Sequence, residues 1–375
     1  MSAHAELVLM VGGDETTPEE RMMAEAWRAA TLDWLDRAAR VGSIGRMLVA
    51  TNSARFAARI RASHPDAEVA LDSGSFHFGR RLRDLVTAHR LARPFYAGGG
   101  SGIFLTEDDL RWISDTVAQG ENRLVANNFY SSDLVAFTPG EAISRIEPPD
   151  TDNDLAWRLA RQAGLEALAL PPSAVSLFDL DTPVDLMICQ AHPACPPRLR
   201  AYLDGVGLDL SPIRRALAVL RKPGARVLLA GRVGAAARAY MEAHTPCTVA
   251  VLAEERGMRA SGRMDRGEVR TVLGYLLGER GPEGLFQALA EVADLVLLDS
   301  RVLLSHLGKW PTNADRYRSD LLRPDDIADP ALKAITQAAA AAPVPVLLGG
   351  HSLVSGGLYA LVDIAQSAPE PQARQ

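Results

Sequence analysis

Lysine is nearly missing from this chain. Only three of its 40 basic residues are lysines, Lys222, Lys309 and Lys333, and the first 221 residues contain none. Any anion held there by a side chain must be held by arginine or histidine, or else by backbone N–H groups. Cysteine is scarce too, and three residues cannot build a disulfide framework, which fits a reducing, cytoplasmic compartment. No apolar run approaches the ~18 residues that a membrane-spanning helix needs, so no membrane span is expected. The N-terminal residues lack a basic segment followed by a long apolar one, so no secretory leader is expected. A basic surplus is also absent. The formal net charge of −6 leaves nothing to hold a phosphate backbone, which excludes nucleic acid as the main partner.

What is present is a chain of 375 residues, too long for one comfortable core. Short apolar stretches alternate with helical patterns along the first half. ELVLMV, RMLVATN, EVALD, PFYAGGG, NRLVANN, DLVAF, LEALAL and VSLFDL read as strands. Ser53 is placed to cap the helix that follows RMLVATN. Thr106, with Asp109 three residues on, is placed to cap LTEDDLRWISDTVAQ. This alternation predicts an α/β fold with a mostly parallel, doubly wound, Rossmann-like sheet. A Pro- and Gly-punctuated stretch follows, and it reads as a helical connector. RVLLAG, CTVAVLAEE, DLVLLDS and VPVLLGG then predict a second, smaller α/β domain of four strands. The expected organisation is a domain over 1–192, a connector over 193–224, a second domain over 225–368 and an unstructured tail over 369–375.

Ligands of open parallel sheets sit beyond the carboxyl ends of the strands. In the first domain the residues just past those ends include Gly12, Gly13, Gly99, Gly100 and Ser101. Glycine lets a phosphate approach the backbone, so these are candidate nucleotide-binding residues. Neither turn is a GxGxxG or a P-loop, and tight-turn geometry alone accounts for them equally well. In the second domain the strand ends carry Arg232, Asp299, Arg301, His351 and Ser352, a candidate second site of mixed charge. LGKWPTNADRYRSDLLRPDDIADP reads as a long polar loop or lid, with Lys309, Arg316 and Arg318 placed to meet an acidic ligand. The segment CQAHPAC lacks a second ligand pair at zinc spacing, so no metal is expected at Cys189 and Cys195.

The segment SLFDLDTPVDL raises the sharpest question. Asp179 or Asp181 before Thr-Pro is a good helix cap. A cap needs one carboxylate, whereas two suit a hard cation such as Mg2+, which takes one or two carboxylates plus substrate phosphates. With the LVLMVGG and GGGSGIFLTEDDL segments, this stretch resembles the molybdenum-cofactor nucleotidyltransferases and phospholactate guanylyltransferases. The resemblance covers roughly residues 5–190, and its two downstream motifs stand about 75 residues apart. It implies a Rossmann-like nucleotidyltransferase domain, a nucleotide or nucleotide-sugar partner, and Mg2+ held by Asp181 with Asp179 in support. It also implies transfer of a nucleoside monophosphate from an NTP to a phosphorylated acceptor, as in cofactor biosynthesis.

Two departures from that pattern are visible. Ser101 stands where the family carries a metal-binding aspartate. The first loop is acidic, with Asp14, Glu15, Glu19 and Glu20, and only Arg21 or Arg28 is available to meet a triphosphate. Asp72 and Asp133 are further candidate carboxylates. Two other readings therefore stay open: a nucleotide-binding or scaffold protein without catalysis, and an enzyme whose chemistry lies in the C-terminal domain. Homo-oligomerisation is open as well.

Overall fold

The computed structural model describes residues 4–72 and 74–367. Ser73 and the predicted tail 369–375 lie outside them. The chain forms two compact units. The first gathers the residues up to Asp14, with Ala24–Asp179 and Pro196–Tyr202; the second gathers Glu15–Met23, Leu180–Cys195 and Leu203 onward. One of the crossings between the units falls between Asp179 and Leu180, inside SLFDLDTPVDL.

The first unit is built on β1 (Ala5–Val11), β2 (Ile44–Thr51), β3 (Glu68–Leu71), β4 (Pro94–Gly98), β5 (Arg123–Ala126), β6 (Leu134–Thr138) and β7 (Glu166–Ala169). Their order across the sheet is β3-β2-β1-β4-β6-β5-β7. Only β6 runs antiparallel to its neighbours β4 and β5. Both faces are buried at the central strands, and β1 shows why its sequence is apolar throughout. Leu7, Leu9 and Val11 enter one core, while Val8 and Met10 enter the other. Helix Pro18–Ala38 begins with a reciprocal cap between Thr17 and Glu20, and its Leu32, Trp34 and Leu35 fill the first of those cores. Ser53 and the Thr106–Asp109 pair cap their helices as expected.

VSLFDL is not a strand. Ser173 and Ser176 cap each other reciprocally and wind Ala174–Leu177 into one helical turn. Side-chain hydroxyls here offer the backbone a local alternative to the sheet. Asp179 forms an isolated antiparallel bridge to Ser101.

The second unit carries β8 (Arg226–Gly231), β9 (Thr248–Ala253), β10 (Leu295–Asp299) and β11 (Val346–Gly349), all parallel, in the order β11-β10-β8-β9. Leu228, Ala230, Val296, Leu298 and Leu348 bury one face against helical side chains that include Leu273, Leu285, Phe286 and Leu289. After β9, the segment Val272–Val292 is two helices that meet at a kink at Gly281, where φ is 67°. The predicted lid is partly helical. Thr312 accepts from Asp315 N at 3.2 Å and starts a helix over Asn313–Asp320. That T-x-x-D capping signature is what the loop reading overlooked.

Candidate functional site

Each sheet has a point where the chain reverses its direction of travel across the strands, and the crevice at the carboxyl ends there is the usual ligand position. In the first unit it lies between β1 and β4; in the second, between β8 and β10.

The first crevice holds the predicted glycines. Gly12 is exposed, and a Cβ on it would meet nothing nearer than Asn52 at 3.7 Å. Gly99 is there for packing, since a Cβ would lie 2.8 Å from Val11 Cγ2. Side chains suited to phosphate or metal are already engaged. The Ser101 hydroxyl donates to the carbonyls of Gly98 at 3.0 Å and Asp133 at 2.9 Å. Arg21, which belongs to the second unit, donates to the carbonyls of Glu15 and Thr16 there. Arg28 is buried, paired with Glu25 at 2.8 Å and stacked over Phe56. Asp72 pairs with Arg81, and the Asp133 carboxylate accepts from Asn127 at 3.2 Å.

The second crevice is charged. Gly231 ends β8 with φ 111°, and a Cβ on it would lie 2.5 Å from Asp299 Cβ, so only glycine lets the two strand ends close up. Asp299 is fully buried and accepts from Arg232 Nε at 2.6 Å and Nη2 at 3.1 Å. Burial works to raise its carboxyl pKa, but Arg232 outweighs that and holds it below the usual range. One residue from Ser300, Arg301 forms a buried fork with Asp320, both contacts at 2.6 Å. Burial alone would weaken its charge; Asp320 restores it.

The Asp-Thr-Pro turn belongs to this unit. Neither Asp179 nor Asp181 caps the helix Pro183–Ala191. Thr182 stands at the N-cap, and the carboxylate of Asp185 reaches back to it. Asp185 Oδ2 accepts from the N–H groups of Asp181 (3.1 Å) and Thr182 (2.8 Å), and from the hydroxyls of Thr182 (2.8 Å) and Ser352 (2.7 Å). The Gly349-Gly350 turn after β11 makes room for it. A Cβ on Gly349 would sit 2.8 Å from Val184 Cγ1, and one on Gly350 3.2 Å from Thr182 Cγ2. Capping is thus done by the third aspartate of the segment, which leaves Asp181 for something else. Asp181 is exposed, and among the described residues nothing donates to its carboxylate.

Electrostatics tie this turn to the rim. Asp185 is fully buried with Oδ1 unpartnered, and burial, followed by the charge of Asp181, pushes its carboxyl up to about 7. His351 is pushed down to about 4, first by burial and then by Arg232, with Asp299 and Asp181 opposing. Arg259 feels Arg232, Asp181 and Arg301, and Tyr317 feels Arg301 and Asp181. Arg232, Asp299, Arg301, His351 and Ser352 therefore come together, as their strand-end positions suggested, and Asp181 joins them. Arg259 and Trp310 were not singled out in the sequence. Of the three lid cations singled out from the sequence, Lys309 pairs with Asp329 at 3.7 Å and Arg318 with Glu19 at 3.3 Å. Only Arg316 faces the rim, stacked over Trp310 with its guanidinium carbon 4.5 Å from the ring centroid.

Among the described residues no group of three or more His, Cys, Asp or Glu side chains is arranged to hold a metal ion. Cys189 and Cys195 are buried thiols with sulfurs 3.5 Å apart. No helix there is long and apolar enough to cross a membrane.

No family model matches the chain, and no curated protein does. Solved structures of nucleotidyltransferases and cytidylyltransferases are similar to about half of it. A nucleotidyl transferase from Methanothermobacter shares 14% identity over 54% of this chain and 99% of its own, with a TM-score of 0.38. The CMP:2-keto-3-deoxy-manno-octonic acid synthetase complexed with CTP shares 10% over 44% of this chain and 90% of its own, at 0.32. A 4-diphosphocytidyl-2C-methyl-D-erythritol synthase shares 12% over 49% and 95%, at 0.34. Likeness at this level assigns neither a substrate nor a residue role.

Proposed function

We propose that the chain transfers a nucleoside monophosphate from an NTP to a phosphorylated small molecule. One observation supports this above the others. The carboxylate of Asp181 is unengaged and lies in the field of Arg259, His351 and Tyr317, within one unit. That combination suits a metal-bound phosphate chain: an acidic ligand for the cation and arginines for the phosphate oxygens. A single free carboxylate does not suit an all-protein metal cage. It does fit Mg2+ that takes its other ligands from substrate phosphates and water. The metal, when bound, supplies charge neutralisation at the α-phosphate. The acceptor's oxygen attacks the α-phosphorus, the bond to the bridging oxygen breaks, and pyrophosphate leaves with its charge held by guanidinium groups. Asp179 lies in the first unit and already has partners, so the proposed metal role rests on Asp181. The turns at Gly12, Gly13, Gly99 and Gly100 are the nucleotide seat proposed for the first unit.

Calorimetric titration of CTP and GTP with Mg2+ tests this. Asp181→Ala is expected to weaken Mg–NTP binding by roughly tenfold to a hundredfold. Equal affinity in that variant removes Asp181 from the site. A second reading, binding without transfer, is favoured by Ser101, Arg21 and Arg28, all of which are committed to local contacts. Tight Mg–NTP binding with no pyrophosphate released, across a panel of phosphorylated acceptors, would select it.

A further inference from the structure

We propose that Arg259 and Arg316, joined by Trp310, form a dedicated site for the phosphoryl group of a phosphomonoester. The site holds whether or not the chain transfers a nucleotide; if it does, this is where the acceptor's phosphate docks.

The inference starts from charges that the fold leaves unmatched. Arg232 and Arg301 each have a buried carboxylate in bidentate contact. Arg259 and Arg316 have none. The guanidinium of Arg259 makes no hydrogen bond among the described residues, yet it is held against Trp310, its carbon 5.3 Å from the ring centroid. Arg316 spends donors on two neutral acceptors, the carbonyl of Pro311 and Oδ1 of Asn313. Both guanidinium groups therefore bear on one indole, whose π face favours each cation separately but does nothing for their mutual repulsion. Burial and neighbouring arginines oppose both charges. Arg316 is pushed down to about 10, by burial first and then by Arg301, with Arg259 also contributing. Arg259 is lowered as well, by burial and then by Arg232. An anion between the two groups would relieve both.

The character of the anion follows from the donors. A carboxylate is satisfied by one guanidinium fork, whereas a phosphoryl group offers three oxygens and a charge near −2. Two forks on one aromatic platform match the second better. The surroundings add to this. Helix Ala235–His244 starts at Gly234 with no side-chain cap, so its first N–H groups are unclaimed by any side chain. Arg256 Nη1 lies 3.1 Å from where a Cβ on Gly234 would be, which places a further cation at that helix start. These features lie past the carboxyl ends of β8 and β9, beside the switch point of the second sheet.

The test is calorimetric titration of the full chain at fixed ionic strength, with EDTA present so that no divalent cation takes part. The probes are inorganic phosphate, glycerol 3-phosphate and malonate. Phosphate and the phosphomonoester are expected to bind, with malonate weaker by roughly tenfold or more. Arg259→Gln is expected to cost roughly tenfold to a hundredfold in phosphate affinity while leaving the unliganded melting temperature unchanged, since no internal hydrogen bond is lost. Arg316→Gln should lose affinity likewise; if the start of its helix is disturbed, Arg259→Gln decides alone. Asp181→Asn should bind phosphate as well as the parent or better, because a negative charge is removed. That separates this site from Mg–NTP binding, which the same variant should weaken. Unchanged phosphate affinity in Arg259→Gln, or malonate binding as tightly as phosphate, overturns the proposal.

Discussion

The two switch points of this molecule solve opposite problems. The first, between β1 and β4, is lined with glycine, and its polar side chains are tied into local structure. The second, between β8 and β10, is lined with charge that is only partly tied down. Gly99 leaves no space for a side chain beside Val11, whereas Gly231 leaves none beside Asp299. One glycine lets a hydrophobic side chain close in; the other lets a buried carboxylate and its arginine do so. Motif logic in the sequence points to the first crevice, and side-chain chemistry in the structure points to the second.

The largest effect expected from breaking this contrast is on stability. Arg301→Met leaves Asp320 fully buried without its counter-charge, which should cost about 3–5 kcal/mol in urea denaturation. The ion pair Arg40–Glu107 of the first unit is exposed, and Arg40→Met should cost less than about 1 kcal/mol. Replacing both members of the buried pair, in Arg301→Met with Asp320→Leu, should recover much of the loss. Equal small costs for the two arginines would erase the distinction between the units.

A smaller effect is expected at Ser101, where the resembled family has a metal-binding aspartate. The hydroxyl donates to two backbone carbonyls, and a carboxylate has no proton to give them. Ser101→Asp should therefore destabilise by about 2–3 kcal/mol and gain no Mg2+-dependent rise in melting temperature. A variant that folds well and is stabilised by Mg2+ would show that the first crevice lacks only a carboxylate.

Much of the fold is legible in the sequence because it is local. Apolar runs such as LVLMV and LVLLD are strands, and Ser53 and Thr106 are caps, for reasons contained within a few residues. The charged rim was legible as positions, since Arg232, Asp299, Arg301, His351 and Ser352 all follow strand ends. VSLFDL was misread because reciprocal serine capping competes with sheet formation and leaves the same apolar pattern. Asp185 was not legible as the capping acid in its buried setting. Ser352, which donates to its Oδ2, lies 167 residues further on. Arg259 sits in a turn-rich segment without periodicity, and its meeting with Arg316 over Trp310 depends wholly on tertiary structure.

The finest contrast is within the second crevice, between Asp185 and His351, and it is read by pH. Asp185, pushed up to about 7, holds a proton in the folded state that the unfolded chain releases near 4, so it stabilises less as pH rises through that window. His351, pushed down to about 4, has the opposite sign. Below about 6.5 the unfolded imidazole takes a proton that the folded one refuses, so acidification destabilises. Between about pH 4 and 6.5 the two contributions oppose each other, each with a slope of at most about 1.4 kcal/mol per pH unit. Asp185→Asn keeps an oxygen for the Thr182 and Ser352 donors and removes the titration. That variant should lose stability on acidification through this range more steeply than the parent, and His351→Gln added to it should flatten the profile again. Superimposable profiles for the parent and Asp185→Asn would mean that Asp185 stays ionised in the fold. The rim's positive charge would then reach further into the turn than its ion pairs imply.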